Sequence, residues 1–151
     1  YMFSYMIMNV AIFAILLSLK VKNEYLINIS DLKGLSKSNP IVSLSISIIM
    51  LSMAGIPPFI GFFGKFYVFI AAIEQELYVL SVLGVLASVI SAFYYLRIIK
   101  IMYFDESKSE GIINFQISFQ SKIILSLSLF VIICFIFYPS LLINISASLT
   151  I

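Results

Sequence analysis

The sequence predicts an all-α integral membrane protein with four transmembrane crossings, the second of them a discontinuous helix. Three observations carry that expectation. The chain of 151 residues is 62% hydrophobic and only 11% charged, with a mean hydropathy of +1.15, whereas soluble domains are nearer a quarter charged. Its apolar residues fall into long runs separated by short polar loops. One run is interrupted by Gly55-Ile56-Pro57-Pro58, and two prolines remove backbone donors that a helix needs.

Taken in order, Met2 to Leu19 is apolar except at Ser4, Asn9 and Ser18, long enough for a spanning helix. Asn9 in its middle is placed to bond a neighbouring helix. A polar loop at 20–39 follows, with Lys20, Lys22, Lys33 and Lys37 against Glu24 and Asp31. Ser38-Asn39-Pro40 reads as a helix start, because proline is tolerated in a first turn. The next helix is expected in two halves, about 41–54 and 58–73, each short of the roughly 20 residues that a crossing needs. Helices at about 77–104 and 122–143 complete the set, joined by a polar loop at 105–121. Gly84, Ala87, Ser88, Ser91 and Ala92 give the third helix a small-residue face for close contact. Tyr94, Tyr95 and Tyr103 flank Arg97 and Lys100 as an interfacial belt would. Ser126, Ser128 and Cys134 in the last helix read as packing residues, and Tyr138-Pro139 stands near its end.

Loop charges favour one broken crossing over two short ones. If the broken segment crosses once, the loop with Lys20, Lys22, Lys33 and Lys37 and the loop region with Arg97, Lys100, Lys108 and Lys122 share a face. The acidic link Glu74-Gln75-Glu76 then lies opposite, which suits the bias of Lys and Arg toward one side. Two crossings would put the basic loops on opposite faces. The break itself carries no charge.

Lys65 is the candidate functional residue. It stands beyond the break with no acid within eight residues on either side. A lysine at mid-membrane costs about 2.5–3.5 kcal/mol to insert, and ionisable groups so placed are usually functional. The half-helix ends beside it present carbonyls on one side and N–H groups on the other, the kind of feature that holds ions or lines wet paths. Gly61 and Gly64 remove bulk beside Lys65, and Gly55, Pro57 and Pro58 make the break. The residues alone leave three uses for Lys65 open: a proton relay, a static pair with an acid elsewhere, or a side chain that snorkels to an interface. Glu74 and Glu76 lie more than about two turns away, so a partner on the same helix is not expected.

Composition excludes several other chemistries. One cysteine, Cys134, cannot form an internal disulfide or ligate an iron–sulfur cluster through several thiolates. With no histidine, a His-held haem or zinc and a Ser-His-Asp triad are ruled out on this chain, so redox cofactors, where the function needs them, belong to other subunits. A net charge of +2 is small and dispersed, and no nucleic-acid partner is expected. The opening at Tyr1 inside an apolar run carries no cleavable signal. It reads as a fragment or as one product of a divided gene. Abundant Ile, Phe, Ser, Asn and Lys without Trp suits an AT-rich genome such as an organelle's.

The stretches Leu51-Ser52-Met53-Ala54-Gly55-Ile56-Pro57-Pro58, Gly61-Phe62-Phe63-Gly64-Lys65-Phe66-Tyr67 and Ser88-Val89-Ile90-Ser91-Ala92-Phe93-Tyr94-Tyr95-Leu96-Arg97 resemble the C-terminal part of subunit 2 of the proton-pumping NADH:ubiquinone oxidoreductase, respiratory complex I. That subunit is of the antiporter-like family. The match runs to about Phe104 and rests on hydropathy beyond it. The resemblance implies the C-terminal part of an inverted-repeat fold, whose discontinuous helix carries a lysine at the position of Lys65. It implies an exit-side proton relay at Lys65, in a subunit of an NADH:ubiquinone reductase that does no redox chemistry on this chain. FMN and iron–sulfur clusters are then expected on other subunits. Implied partners are other complex I membrane subunits, the lipid bilayer, and a separate chain carrying the N-terminal helices of the same subunit, because the family's first-repeat glutamate and lysines have no counterpart here. The implied location is the mitochondrial inner membrane, with a bacterial plasma membrane as the alternative. Two other readings stay open: a fragment of a secondary cation/proton antiporter, and a non-pumping structural anchor subunit.

Overall fold

The computed structural model describes residues 2–21, 24–25, 28–105, 115–116 and 119–137. Helix α1 spans Met2–Ser18, and a polar segment leads to a one-turn helix α2 at Leu35–Ser38. Helix α3 is Pro40–Ala54 and α4 is Ile60–Glu74, with the break between them. Helix α5 runs Tyr78–Tyr103 and α6 Phe119–Phe137. The last helix thus starts at Phe119, ahead of the expected 122, while Tyr138-Pro139 and the expected end at 143 lie outside the described residues, as do Lys22 and Lys108.

Each boundary has a local cause. Pro40 opens α3, where its missing N–H costs nothing. Gly55 ends α3 at φ +84°, a left-handed conformation suited to glycine. Pro57 and Pro58 then bar the helix from resuming, and α4 begins only after Phe59 turns extended. The acidic link carries Glu76 at φ 59° before α5 starts.

The described parts of the polar loops hold short strands. Two-residue strands β1 (Lys20–Val21) and β2 (Glu24–Tyr25) form a small antiparallel pair, and β3 (Phe115–Gln116) joins the other edge of β1. In register, Lys20 faces Tyr25 on one side and Gln116 on the other. Strand β1 follows α1 directly and β3 precedes α6, so this pairing gathers both polar loops at one end of the bundle. A 3-10 turn at Ile29–Leu32 and helix α2 pack against α5 at that end, where Ile101 and Met102 are buried.

Helix α3 is the centre of the bundle. It packs chiefly on α5 and also on α1, α4 and α6, while α1 pairs with α6. Ile46, Ile49, Met50 and Met53 of α3 are buried with Met8, Ile12 and Ile15 of α1, Met102 of α5, and Leu125 and Ile132 of α6. Four serines of α3, Ser43, Ser45, Ser47 and Ser52, are buried too. Ser45 and Ser47 donate to the carbonyls of Ile41 and Ser43 one turn back, the usual way for a hydroxyl to sit inside an apolar helix.

Several sequence expectations change. Asn9 donates to the Tyr5 carbonyl of its own helix at 2.9 Å rather than to a neighbour. Ser128 is buried as expected of packing, but Ser126 and Cys134 are exposed. Of the described helices, α5 is the one long and apolar enough to cross a membrane by itself. The apolar stretches Ser4–Leu17, Pro40–Ala54 and Phe119–Cys134 are shorter. Much of the surface of α5 is exposed and apolar, including Leu80, Leu83, Val89, Ile90 and Phe93.

Candidate functional site

The break brings the end of α3 and the start of α4 into direct contact. Gly61 packs its backbone against the Ser52 carbonyl so closely that a Cβ there would overlap the oxygen. This is a position for glycine by contact, not by φ. The Gly61 N–H donates to Ser52 Oγ at 3.3 Å. A hydroxyl from one half-helix therefore caps an N–H that the first turn of the other leaves unbonded. The Phe62 N–H returns to the Phe59 carbonyl at 3.0 Å.

Lys65 lies on the next turn of α4 and reaches back across the break. Its Nζ donates to the Met53 carbonyl at 3.0 Å and to the Ala54 carbonyl at 3.3 Å. Both acceptors are on α3, at the end where the helix dipole is negative. Gly55 lies against the lysine stem, and a Cβ on it would come within 3.1 Å of Lys65 Cδ. The ammonium is thus held in a partly buried place by two backbone carbonyls.

Beside Lys65 is an open-sided cavity of about 240 Å³ between α4 and α5. Ala54, Gly55 and Lys65 form its polar end, with Ser88 and Ala92 of α5 opposite. Phe62, Phe66 and Phe69 wall it on the α4 side, Phe62 and Phe66 stacking with ring centroids 5.6 Å apart. Gly84 of α5 lets Phe69 in, since a Cβ there would come within 2.7 Å of Phe69 Cε1. The arrangement is a small water-sized space with the Lys65 cation at one end and an aromatic wall along one side.

The structure therefore gathers Lys65, Gly55 and the break, and gives the other candidates different duties. Pro57 and Pro58 are exposed in the turn. Gly61 seats α4 on Ser52, and Gly64 is partly buried on α4. Neither is among the residues lining the cavity, and the room beside Lys65 comes from Gly55, Ala54, Ser88 and Ala92 instead. Glu74 and Glu76 do not line it either. Sequence reasoning missed Ser52 as a cap and the paired carbonyls of Met53 and Ala54 as the lysine's acceptors. A signal for the carbonyls was available, because the prolines four residues on cannot donate to them.

Comparison with known proteins fits this geometry. Residues 1–91, which include the break, Lys65 and most of the cavity lining, match the family described as NADH:quinone oxidoreductase/Mrp antiporter, transmembrane. NADH-quinone oxidoreductase subunit N of Pelagibacter ubique is 47% identical over 151 residues, covering 100% of this chain and 32% of the relative. The subunit of that name from Parvibaculum lavamentivorans is 56% identical over 107 residues, 71% of this chain and 22% of its own length. NADH-ubiquinone oxidoreductase chain 2 of Marchantia polymorpha is 44% identical over 138 residues, 91% of this chain and 28% of its own. The chain thus spans a third or less of these relatives. Among solved structures, a chain of respiratory complex I from Thermus thermophilus with bound aureothin has the same fold, with a TM-score of 0.76 at 22% identity over 93% of this chain and 32% of that one. The break, the lysine and the match over residues 1–91 place the chain in the NADH:quinone oxidoreductase/Mrp antiporter family of membrane subunits.

Proposed function

We propose that this chain supplies the C-terminal helices of an antiporter-like subunit of respiratory complex I, and that Lys65 relays protons there on the exit side. The observation that carries the reading is the ammonium of Lys65 held at a helix break beside a cavity. The Nζ of a lysine has three N–H groups when protonated, and two are engaged by carbonyls. The third is left for water or an approaching group in the cavity. A lysine so held can release a proton into that space and recover one as nearby charge changes.

The chain makes four crossings in this reading, with α3 and α4 as one broken span. Support comes from the paired polar loops. α1 and α5 both end at the face where β1 meets β3, and α3 starts there too. Helix α5 is 26 residues long, about 39 Å, so its start lies at the opposite face, and α4 ends just before it. The segment from α3 to α4 then goes from one face to the other once.

Other membrane subunits of the complex pack around these helices. FMN and iron–sulfur clusters reside on other subunits, and this chain does no redox chemistry. The location is the mitochondrial inner membrane, a reading supported by the composition and by the Marchantia relative.

The test is Lys65→Met in the assembled complex. NADH oxidation continues, while protons moved per NADH fall measurably in sealed vesicles. Normal pumping by a fully assembled variant would sink the relay and favour a structural anchor.

A further inference from the structure

The last four carbonyls of any α-helix lack intrahelical donors, and α3 shows where each of its four goes. The Ile56 N–H reaches the Leu51 carbonyl at 3.2 Å, and the Gly55 N–H reaches the Ser52 carbonyl at 3.0 Å. That is the Schellman closure on a left-handed glycine. In a continuing helix, the carbonyls of Met53 and Ala54 would accept from the N–H groups four residues on. Those positions are Pro57 and Pro58, which have no N–H. Two adjacent carbonyls at the negative end of α3 are therefore left open, by the left-handed turn at Gly55 and by the lack of an N–H at Pro57 and Pro58. Lys65 Nζ occupies both.

We propose that Pro57 and Pro58 are positioning residues for Lys65. They keep the Met53 and Ala54 carbonyls open as a two-carbonyl seat for a primary ammonium, and this seat is the resting partner of Lys65 in place of an acidic side chain. The lining of the cavity agrees, since among the described residues Lys65 is its one ionisable group. The open carbonyls carry the partial negative charge of the helix end, which suits a primary ammonium. The prolines do more than interrupt the helix. Their register removes the two donors that could close onto the carbonyls left open by the turn at Gly55, and Lys65 stands at the distance that reaches those two. The seat stands on this geometry, and only its consequence for proton transfer rests on the relay reading above.

Two experiments on the assembled complex test the seat without measuring pumping. The first compares Pro57→Ala, Pro58→Ala and the double variant for the rate of reductive methylation of Lys65 by a membrane-permeant reagent, read by mass spectrometry. Alanine N–H groups compete for the carbonyls, so methylation in the double variant rises about tenfold, the scale of losing one hydrogen bond to a charged group. An unchanged rate in an assembled double variant overturns the prolines' positioning role.

The second experiment needs no proline variant, and it decides the matter if those variants fail to assemble. Propylammonium is added to the Lys65→Ala complex, with tetramethylammonium as the control. Propylammonium has N–H groups for both carbonyls and raises the melting temperature of the Lys65→Ala complex, with no comparable rise in the unsubstituted complex. Tetramethylammonium has no N–H and leaves both unchanged. Equal effects of the two cations, or none from either, overturn the seat. Normal pumping by Lys65→Met would end the relay reading and leave the seat intact, so the two failures are distinguishable.

Discussion

Ser52 and Gly61 show how much a single contact decides at the break. Ser52 is fully buried, its carbonyl presses on Gly61, and its hydroxyl accepts the Gly61 N–H. Gly61→Ala would put a methyl group where that carbonyl stands. The expected cost is at least the roughly 1–3 kcal/mol typical of overpacking, because backbone on both sides must move. Assembly of the complex should fall, and thermal melting of what assembles should drop. Ser52→Ala keeps the packing and removes only one hydrogen bond, at about 1 kcal/mol, so its melting temperature should lie between the other two. Equal melting of Gly61→Ala and the unsubstituted complex would show that the contact is not tight. Lys65 was legible in the sequence as a lone cation in an apolar stretch. Its acceptors were not identified there, although the absence of N–H at Pro57 and Pro58 marks the carbonyls involved. Reach across the break depends on how the start of α4 is seated on the end of α3, and no local pattern states that.

At the scale of elements, α4 and α5 meet through Phe69 and Gly84, and this contact sets one wall of the cavity beside Lys65. Gly84→Val would drive the Phe69 ring from its place and change the shape of that wall. The complex should still assemble, and proton transfer per NADH should fall partially in sealed vesicles. Ser91→Ala serves as control, since Ser91 donates to the Ala87 carbonyl of its own helix. It should stay within about 0.5 kcal/mol in stability, as surface changes do, and pump normally. If Gly84→Val and Ser91→Ala pump alike, the Phe69 wall has no part in transfer. The small residues of α5 were visible in the sequence as one face, but their duties differ. Gly84 admits an aromatic ring, Ser88 and Ala92 line the cavity, and Ala87 is exposed.

For the whole molecule, the distribution of apolar surface is the governing fact. The large side chains of α5 are mostly exposed, as are Val10, Phe13 and Leu17 of α1 and Phe66 and Tyr67 of α4. Surface of that kind needs lipid or protein against it. These 151 residues expressed by themselves should be polydisperse in mild detergent and readily cut by protease. Co-expression with the helices that its relatives carry beyond this matched region should yield a complex that copurifies. A monodisperse, protease-resistant isolated chain would contradict the prediction.

Composition and run lengths alone determined that this is a helical membrane protein, because hydrocarbon demands apolar residues in long uninterrupted stretches. The sequence also determined where the helix must break and which residue carries charge beside it, since proline chemistry and a lysine's charge are local properties. The tertiary structure alone decided that β1 pairs with β3 and gathers the two polar loops. It also decided that Asn9 stays within its own helix, and that Lys65 turns back to the carbonyls of Met53 and Ala54. Those outcomes depend on distances between segments far apart in the chain, and such distances are fixed only when the helices pack.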